Sequence, residues 1–153
     1  MVCVGAVLFI NRHNQKNQRT TMEDLMIHQT PHTPLIAFNT THNVFTIAGD
    51  SYNEHAPDFY KPVLAWLNKY LSVNQKPIIF HFQLNYYNTC SLRMFDEMLQ
   101  VLERFPKERK IPVYVNWFVA SDHKEMIADG EDMKEDFPAI EFQLFLEETS
   151  GIV

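Results

Sequence analysis

Pro77-Ile78-Ile79-Phe80-His81-Phe82-Gln83-Leu84 runs through Asn85 into Tyr86-Tyr87-Asn88-Thr89-Cys90-Ser91, and Leu92 then opens a different pattern. In the first run Ile78, Phe80, Phe82 and Leu84 fall on one face, and Ile79, His81 and Gln83 fall on the other. Period two is the mark of a strand half-buried in a sheet. Beyond the junction Leu92, Phe95, Met98, Leu99 and Leu102 recur at helical spacing and form one apolar stripe. The chain therefore passes from strand to helix between Tyr86 and Ser91. Asn88, Thr89 and Ser91 each offer a side-chain oxygen to cap that helix. A helix N-terminus carries free backbone N–H groups and partial positive charge, which favour an anion. A hydroxyl there either caps the helix and nothing more, or carries a phosphate whose presence a partner reads.

Outward from this junction, short elements alternate. Leu35 to Phe38 and Val44 to Ala48 are predicted strands, joined by the turn-rich Asn39-Thr40-Thr41-His42-Asn43. Gly49-Asp50-Ser51-Tyr52-Asn53-Glu54 reads as a turn. A helix is predicted from Asp58, its expected N-cap, to Leu71, with Tyr60, Val63, Leu64, Leu67 and Leu71 on one face. Pro62 then sits near the end of its first turn, where a missing N–H does least harm. Lys107 to Lys110 reads as a charged loop, and Pro112 to Phe118 as a strand with Val113, Val115 and Trp117 on one face. His123 to Asp136 is the third predicted helix and Ala139 to Leu146 the last strand.

The order ββαβαβαβ implies an α/β fold: a mixed sheet of about five strands with an antiparallel opening hairpin, parallel crossovers and helices mainly on one face. Because the inner strands alternate, the face bearing His81, Gln83, Tyr114 and Asn116 is left semi-polar, as a solvated surface or an interface.

The length of 153 residues suits one domain with a real core. We assign that domain to residues 22–153 and treat 1–21 as an uncertain N-terminal extension. Val2 to Ile10 is apolar but too short to span a bilayer, and no basic residues precede it. Asn11 to Thr21 is polar, and Met22 offers an alternative start; an extra strand or a tail is the other reading. A net charge of −6 without a basic run argues against nucleic acid or an anionic membrane as partner. Two cysteines, Cys3 and Cys90, cannot build a disulfide framework, so a cytoplasmic setting is expected.

Motifs for chemistry are sparse. The four glycines form no phosphate loop, and neither a nucleophile elbow, a His-Glu-x-x-His helix nor a Cys-x-x-Cys pair occurs. His28, His32 and His42 lack metal-ligand spacing and read as surface residues. No catalytic residue, metal or cofactor is expected. Cys90 at a helix start reads as a small buried residue, with a reactive thiol as the rival. Asp122 to Asp136 is rich in carboxylates and reads as a solvated helix face or as a docking surface for a basic partner.

Several segments carry a resemblance when taken in order. They are Gly49-Asp50-Ser51-Tyr52-Asn53-Glu54, Phe59-Tyr60-Lys61-Pro62-Val63 with Trp66-Leu67, Tyr87-Asn88-Thr89-Cys90-Ser91, the strand of Trp117, and Gly130-Glu131-Asp132-Met133. From about Thr33 to Phe145 the chain resembles the SiaC family, small bacterial regulatory phosphoproteins with a STAS-like fold similar to anti-sigma-factor antagonists. The family usually shows Asn-Thr-Ser-Ser at the junction; Cys90 replaces its third residue here, so no role for that hydroxyl carries over. Thr89 matches the phosphoacceptor. The resemblance implies a partner switch: a dedicated kinase phosphorylates Thr89, a PP2C-type phosphatase removes the phosphate, and the unphosphorylated protein binds and stimulates a diguanylate cyclase. The expected partner surface is Tyr86, Tyr87, Asn88, Cys90 and Ser91 with Ser51, Tyr52 and Glu54. The rivals are a STAS-type binding module with another output partner, and a small thiol or metal enzyme.

Overall fold

The computed structural model describes residues 22–148. Its strands are β1 (Leu25–Ile27), β2 (Leu35–Asn39), β3 (Val44–Ser51), β4 (Ile78–Tyr87), β5 (Val113–Ala120) and β6 (Glu141–Glu147); its helices are α1 (Ala56–Val73), α2 (Thr89–Arg109) and α3 (Lys124–Asp136). The expected extension over residues 1–21 lies outside the described residues. The six strands lie side by side in chain order. β1, β2 and β3 pair antiparallel, and β3 to β6 pair parallel through the helical crossovers.

Register follows from the alternation of side chains. Ile47 pairs with Phe82, and Phe82 pairs with Trp117. Phe45 pairs with Phe80, and Phe80 with Val115. All six are buried on one face of the sheet. The helices cover that face with stripes of the expected period: Tyr60, Val63 and Leu67 from α1, and Phe95, Met98 and Leu102 from α2. The opposite face keeps Gln83 and Tyr114 exposed, with Phe118 stacked on Phe145 at 5.0 Å between centroids. Burial alone holds the His81 imidazole on that face below its ordinary pKa.

Several boundaries differ from the sequence expectation. The sheet gains the short edge strand β1. Gly49, Asp50 and Ser51 belong to β3 rather than to a turn, because β4 runs beside them as far as Tyr87 and supplies their ladder partners. α1 begins at Ala56, after His55, which makes no side-chain cap bond, so Asp58 lies in the first turn and Pro62 lies inside the helix. α2 begins at Thr89 and absorbs Lys107 to Arg109; Lys110 ends it in the left-handed conformation, with its N–H on the Pro106 carbonyl.

α3 approaches the sheet closely because Gly130 has no side chain. A Cβ there would lie 2.7 Å from Trp117 Cδ1 and 3.1 Å from Leu144 Cδ2. Trp117 Nε1 donates to the Met126 carbonyl at 3.1 Å, which fixes the indole under the helix. Gly→Ala inside a helix ordinarily stabilises by about 1 kcal/mol. Overpacking a buried ring costs about 1–3 kcal/mol. Gly130→Ala should therefore lower the urea midpoint, and an unchanged or higher midpoint would show that α3 is free to rise off Trp117.

Candidate functional site

The site begins with a bulge. Along β3 and β4, Gly49 pairs with Leu84, but the next pair is Asp50 with Tyr86. Asn85 is the extra residue, and it shifts the phase of the strand. Leu84 and Tyr87, three residues apart, are both buried, while Tyr86 is 50% exposed. Without the bulge the two tyrosines would exchange faces. Gly49 permits the matching bend in β3 with φ of 105°, a conformation that only glycine adopts at low cost.

A chain of buried hydroxyls then ties three elements together. Ser91 Oγ donates to the Ser51 carbonyl at 2.8 Å, and Ser51 Oγ donates to Ser91 Oγ at 2.7 Å. The Ser51 proton is thereby committed, so the 2.7 Å bond between Tyr60 and Ser51 has the phenol as donor. Burial raises the Tyr60 pKa well above its ordinary value, with the Ser51 bond working against the shift. The phenol thus remains a donor across the neutral range. Asn88 caps α2: its Oδ1 accepts from Ser91 N at 2.8 Å, and its own N–H reaches the Ser51 carbonyl at 3.0 Å.

This framework presents Thr89, exposed, as the first residue of α2. Two clefts open beside it. One, of about 510 Å³, is lined by Tyr86, Thr89, His123, Glu125 and Asp129 among others. The other, of about 390 Å³, runs between α2 and α3 and is lined by Thr89, Arg93, Asp96, Asp129 and Asp132 among others. Thr89 and Asp129 border both. Tyr87 Oη donates to Asp129 Oδ2 at 2.6 Å and so links the end of β4 to α3. Burial, then the Asp129 carboxylate, push the Tyr87 phenol well above its ordinary pKa. On the outer side Tyr52 meets Tyr86 edge-on at 5.4 Å and His32 at 5.2 Å.

The residues named from sequence therefore gather at one end of the sheet but do not share one role. Tyr86, Thr89, Cys90 and Glu54 are exposed, and Tyr52 and Asn88 are half-buried. The exposure of Cys90 corrects the expectation of a buried thiol. Ser51 at 2% and Ser91 at 0% exposure are interior residues, out of reach of a folded partner, because their hydroxyls bond each other and Ser91 Oγ also satisfies the Ser51 carbonyl at the end of β3. Tyr87 is largely buried too, with its ring against Phe95 and Trp117. Sequence reasoning assigned nothing to Tyr60 or Asp129. Tyr60 was visible as part of an apolar stripe and of the Phe59–Val63 segment that carries the resemblance, and Asp129 was one carboxylate among many. Among the described residues no group of three or more His, Cys, Asp or Glu side chains is placed to hold a metal, and no helix is long and apolar enough to cross a membrane.

Known proteins resemble this chain in sequence and fold. Residues 27–147 match the SiaC family regulatory phosphoprotein model. An uncharacterised protein of Pseudomonas aeruginosa strain UCBPP-PA14 is 28% identical over 115 residues, covering 75% of this chain and 90% of its own. Apo-SiaC from Pseudomonas aeruginosa superposes with a TM-score of 0.70 at 26% identity, over 82% of this chain and 99% of that one. A crystal structure of the diguanylate cyclase SiaD in complex with its activator SiaC, from the same organism, matches with a TM-score of 0.71 at 25% identity, over 82% and 99% of the two chains.

Two tests bear on the framework. Ser91→Ala removes the acceptor of the buried Ser51 hydroxyl proton and one donor to the Ser51 carbonyl, and should cost about 1–3 kcal/mol in a urea titration; a loss below a few tenths would mean that the hydroxyl chain is not structural. The raised phenols also set a pH dependence. The unfolded chain releases those tyrosine protons first, at about pH 10, so stability is full below that value and falls as pH rises through it. Urea midpoints taken from about pH 8 to pH 11 should fall more for the wild type than for the Tyr60→Phe, Tyr87→Phe double variant.

Proposed function

We propose a function from one premise: the chain belongs to the SiaC family of regulatory phosphoproteins. It acts as a partner switch in the cytoplasm. Its unphosphorylated form binds and activates a diguanylate cyclase, which raises cyclic-di-GMP and favours biofilm formation. A cognate kinase phosphorylates Thr89, a PP2C-type phosphatase restores the hydroxyl, and the chain itself catalyses nothing. The likeness to the SiaC chain found with the cyclase SiaD supports the choice of partner.

The observation that carries this reading is the junction itself. Thr89 is exposed at the first residue of α2, on a rigid base of buried hydrogen bonds, between two clefts. A kinase can reach such a hydroxyl without unfolding anything. Tyr86, Tyr52, Cys90 and Glu54 stand beside it as the partner-facing surface, with Asn88 at its edge. Phosphate adds nearly two negative charges and three acceptor oxygens. Packed into an interface, that charge is costly to desolvate.

Kinase treatment with ATP followed by peptide mass spectrometry should place the phosphate on Thr89; modification confined to another residue would overturn the assignment. Thr89→Asp should weaken cyclase binding at least about tenfold in calorimetry, and Thr89→Ala should preserve it. The aspartate also favours the helix N-terminus by about 0.3–1 kcal/mol. The variant should therefore melt no lower than the wild type while binding falls.

A further inference from the structure

Thr89 and Asp129 border the same two clefts from opposite helices, α2 and α3. Asp129 is not a free surface carboxylate. It accepts the 2.6 Å hydrogen bond of Tyr87, a largely buried residue that follows the Asn85 bulge. That bond ties α3 to the strand end from which α2 begins. The clefts are already negative: Glu125, Asp129, Asp96, Glu97, Asp132 and Asp136 line them, against Arg93 as the one Lys or Arg among the described residues. Arg93 follows Thr89 by one helical turn.

We infer that Asp129 is the positioning residue of the switch: phosphate on Thr89 repels the carboxylate that Tyr87 holds, and this charge repulsion loosens α3 from the junction. The inference rests on Thr89 being the phosphorylated residue. In that step the Thr89 oxygen forms a bond to the γ-phosphorus of ATP, ADP leaves, and the hydroxyl proton passes to the kinase. The product places nearly two negative charges in the clefts that Asp129 also lines, and like charges there repel. The α2 N-terminus and Arg93 attract the phosphate and keep it at the junction. The repulsion then falls on α3. This short helix is held to the sheet by Met126, Gly130 and Met133, by the Trp117 bond, and by the Tyr87–Asp129 link. Phosphorylation thus alters the shape of the partner surface as well as its charge.

Asp129→Asn separates the two effects. The amide oxygen still accepts from Tyr87, but the charge is gone. Glu131→Gln removes the same charge from α3 at an exposed position that lines neither cleft, and serves as the control. Each protein is phosphorylated by the kinase, checked by mass spectrometry, and followed by hydrogen exchange over residues 124–136 and by cyclase binding. In the wild type and Glu131→Gln, phosphorylation should speed α3 exchange at least about threefold and weaken binding at least about tenfold. In Asp129→Asn the change in exchange should disappear, and the loss of binding should shrink at least about threefold. Unchanged α3 exchange in the phosphorylated wild type, or an equal phosphorylation effect in Asp129→Asn and the wild type, would overturn the role of Asp129. Absence of phosphate on Thr89, or full cyclase binding by phosphorylated wild type, would instead overturn the proposed function.

Discussion

The hydrogen bond from Ser51 Oγ to Ser91 Oγ, 2.7 Å long and buried, joins the end of β3 to the first turn of α2. The Ser51 carbonyl beside it accepts twice, from Ser91 Oγ and from Asn88 N. A strand end inside a protein leaves backbone groups that water cannot reach, so side chains must satisfy them. Here the same side chains also fix where the next helix starts. The starting turn of α2 therefore has one position relative to β3 and α1, and Thr89 inherits it. An exposed residue on so firmly held a base can be modified without loss of the fold, and its surroundings are the same each time a partner meets it.

Across six consecutive residues the chain alternates between building this base and displaying something on it. Tyr86 points outward, Tyr87 inward to Phe95 and Trp117, and Asn88 caps the helix. Thr89 and Cys90 are exposed, and Ser91 is fully buried. This order comes from the Asn85 bulge followed by the change from strand to helix, since each alters which side chains face the core. The display surface and the structural residues are therefore neighbours in sequence but different in kind. Cys90 is exposed like Thr89, so its side chain belongs to the display surface and not to the buried base.

The alternation of Ile78, Phe80 and Phe82, and of Val113, Val115 and Trp117, was enough to identify the central strands and their buried face. The helical stripes of α1 and α2 were equally plain. Periodicity failed where it had too few residues or met a break in phase. β1 has three residues, too few to show a period. Gly49-Asp50-Ser51 has the composition of a turn, and the ladder with β4 holds it in the sheet. Ser51 and Ser91 looked like surface residues because each is polar; their burial depends on a contact across 40 residues. The Tyr87–Asp129 pair spans 42 residues and had no local signal at all. The location of the site was legible, but the division of its residues between interior and surface required the fold.

Trp117 gives the molecule a built-in optical reporter. Its indole lies under Gly130 and donates to the Met126 carbonyl, so both its packing and its hydrogen bond depend on where α3 sits. The other tryptophan, Trp66, is remote from α3, stacked on Tyr70 with its N–H directed to the Glu23 carbonyl. Under excitation selective for tryptophan, a Trp66→Phe chain would emit from one indole alone. Its emission maximum would follow water entering beneath α3, which makes the state of that helix readable in real time without a label.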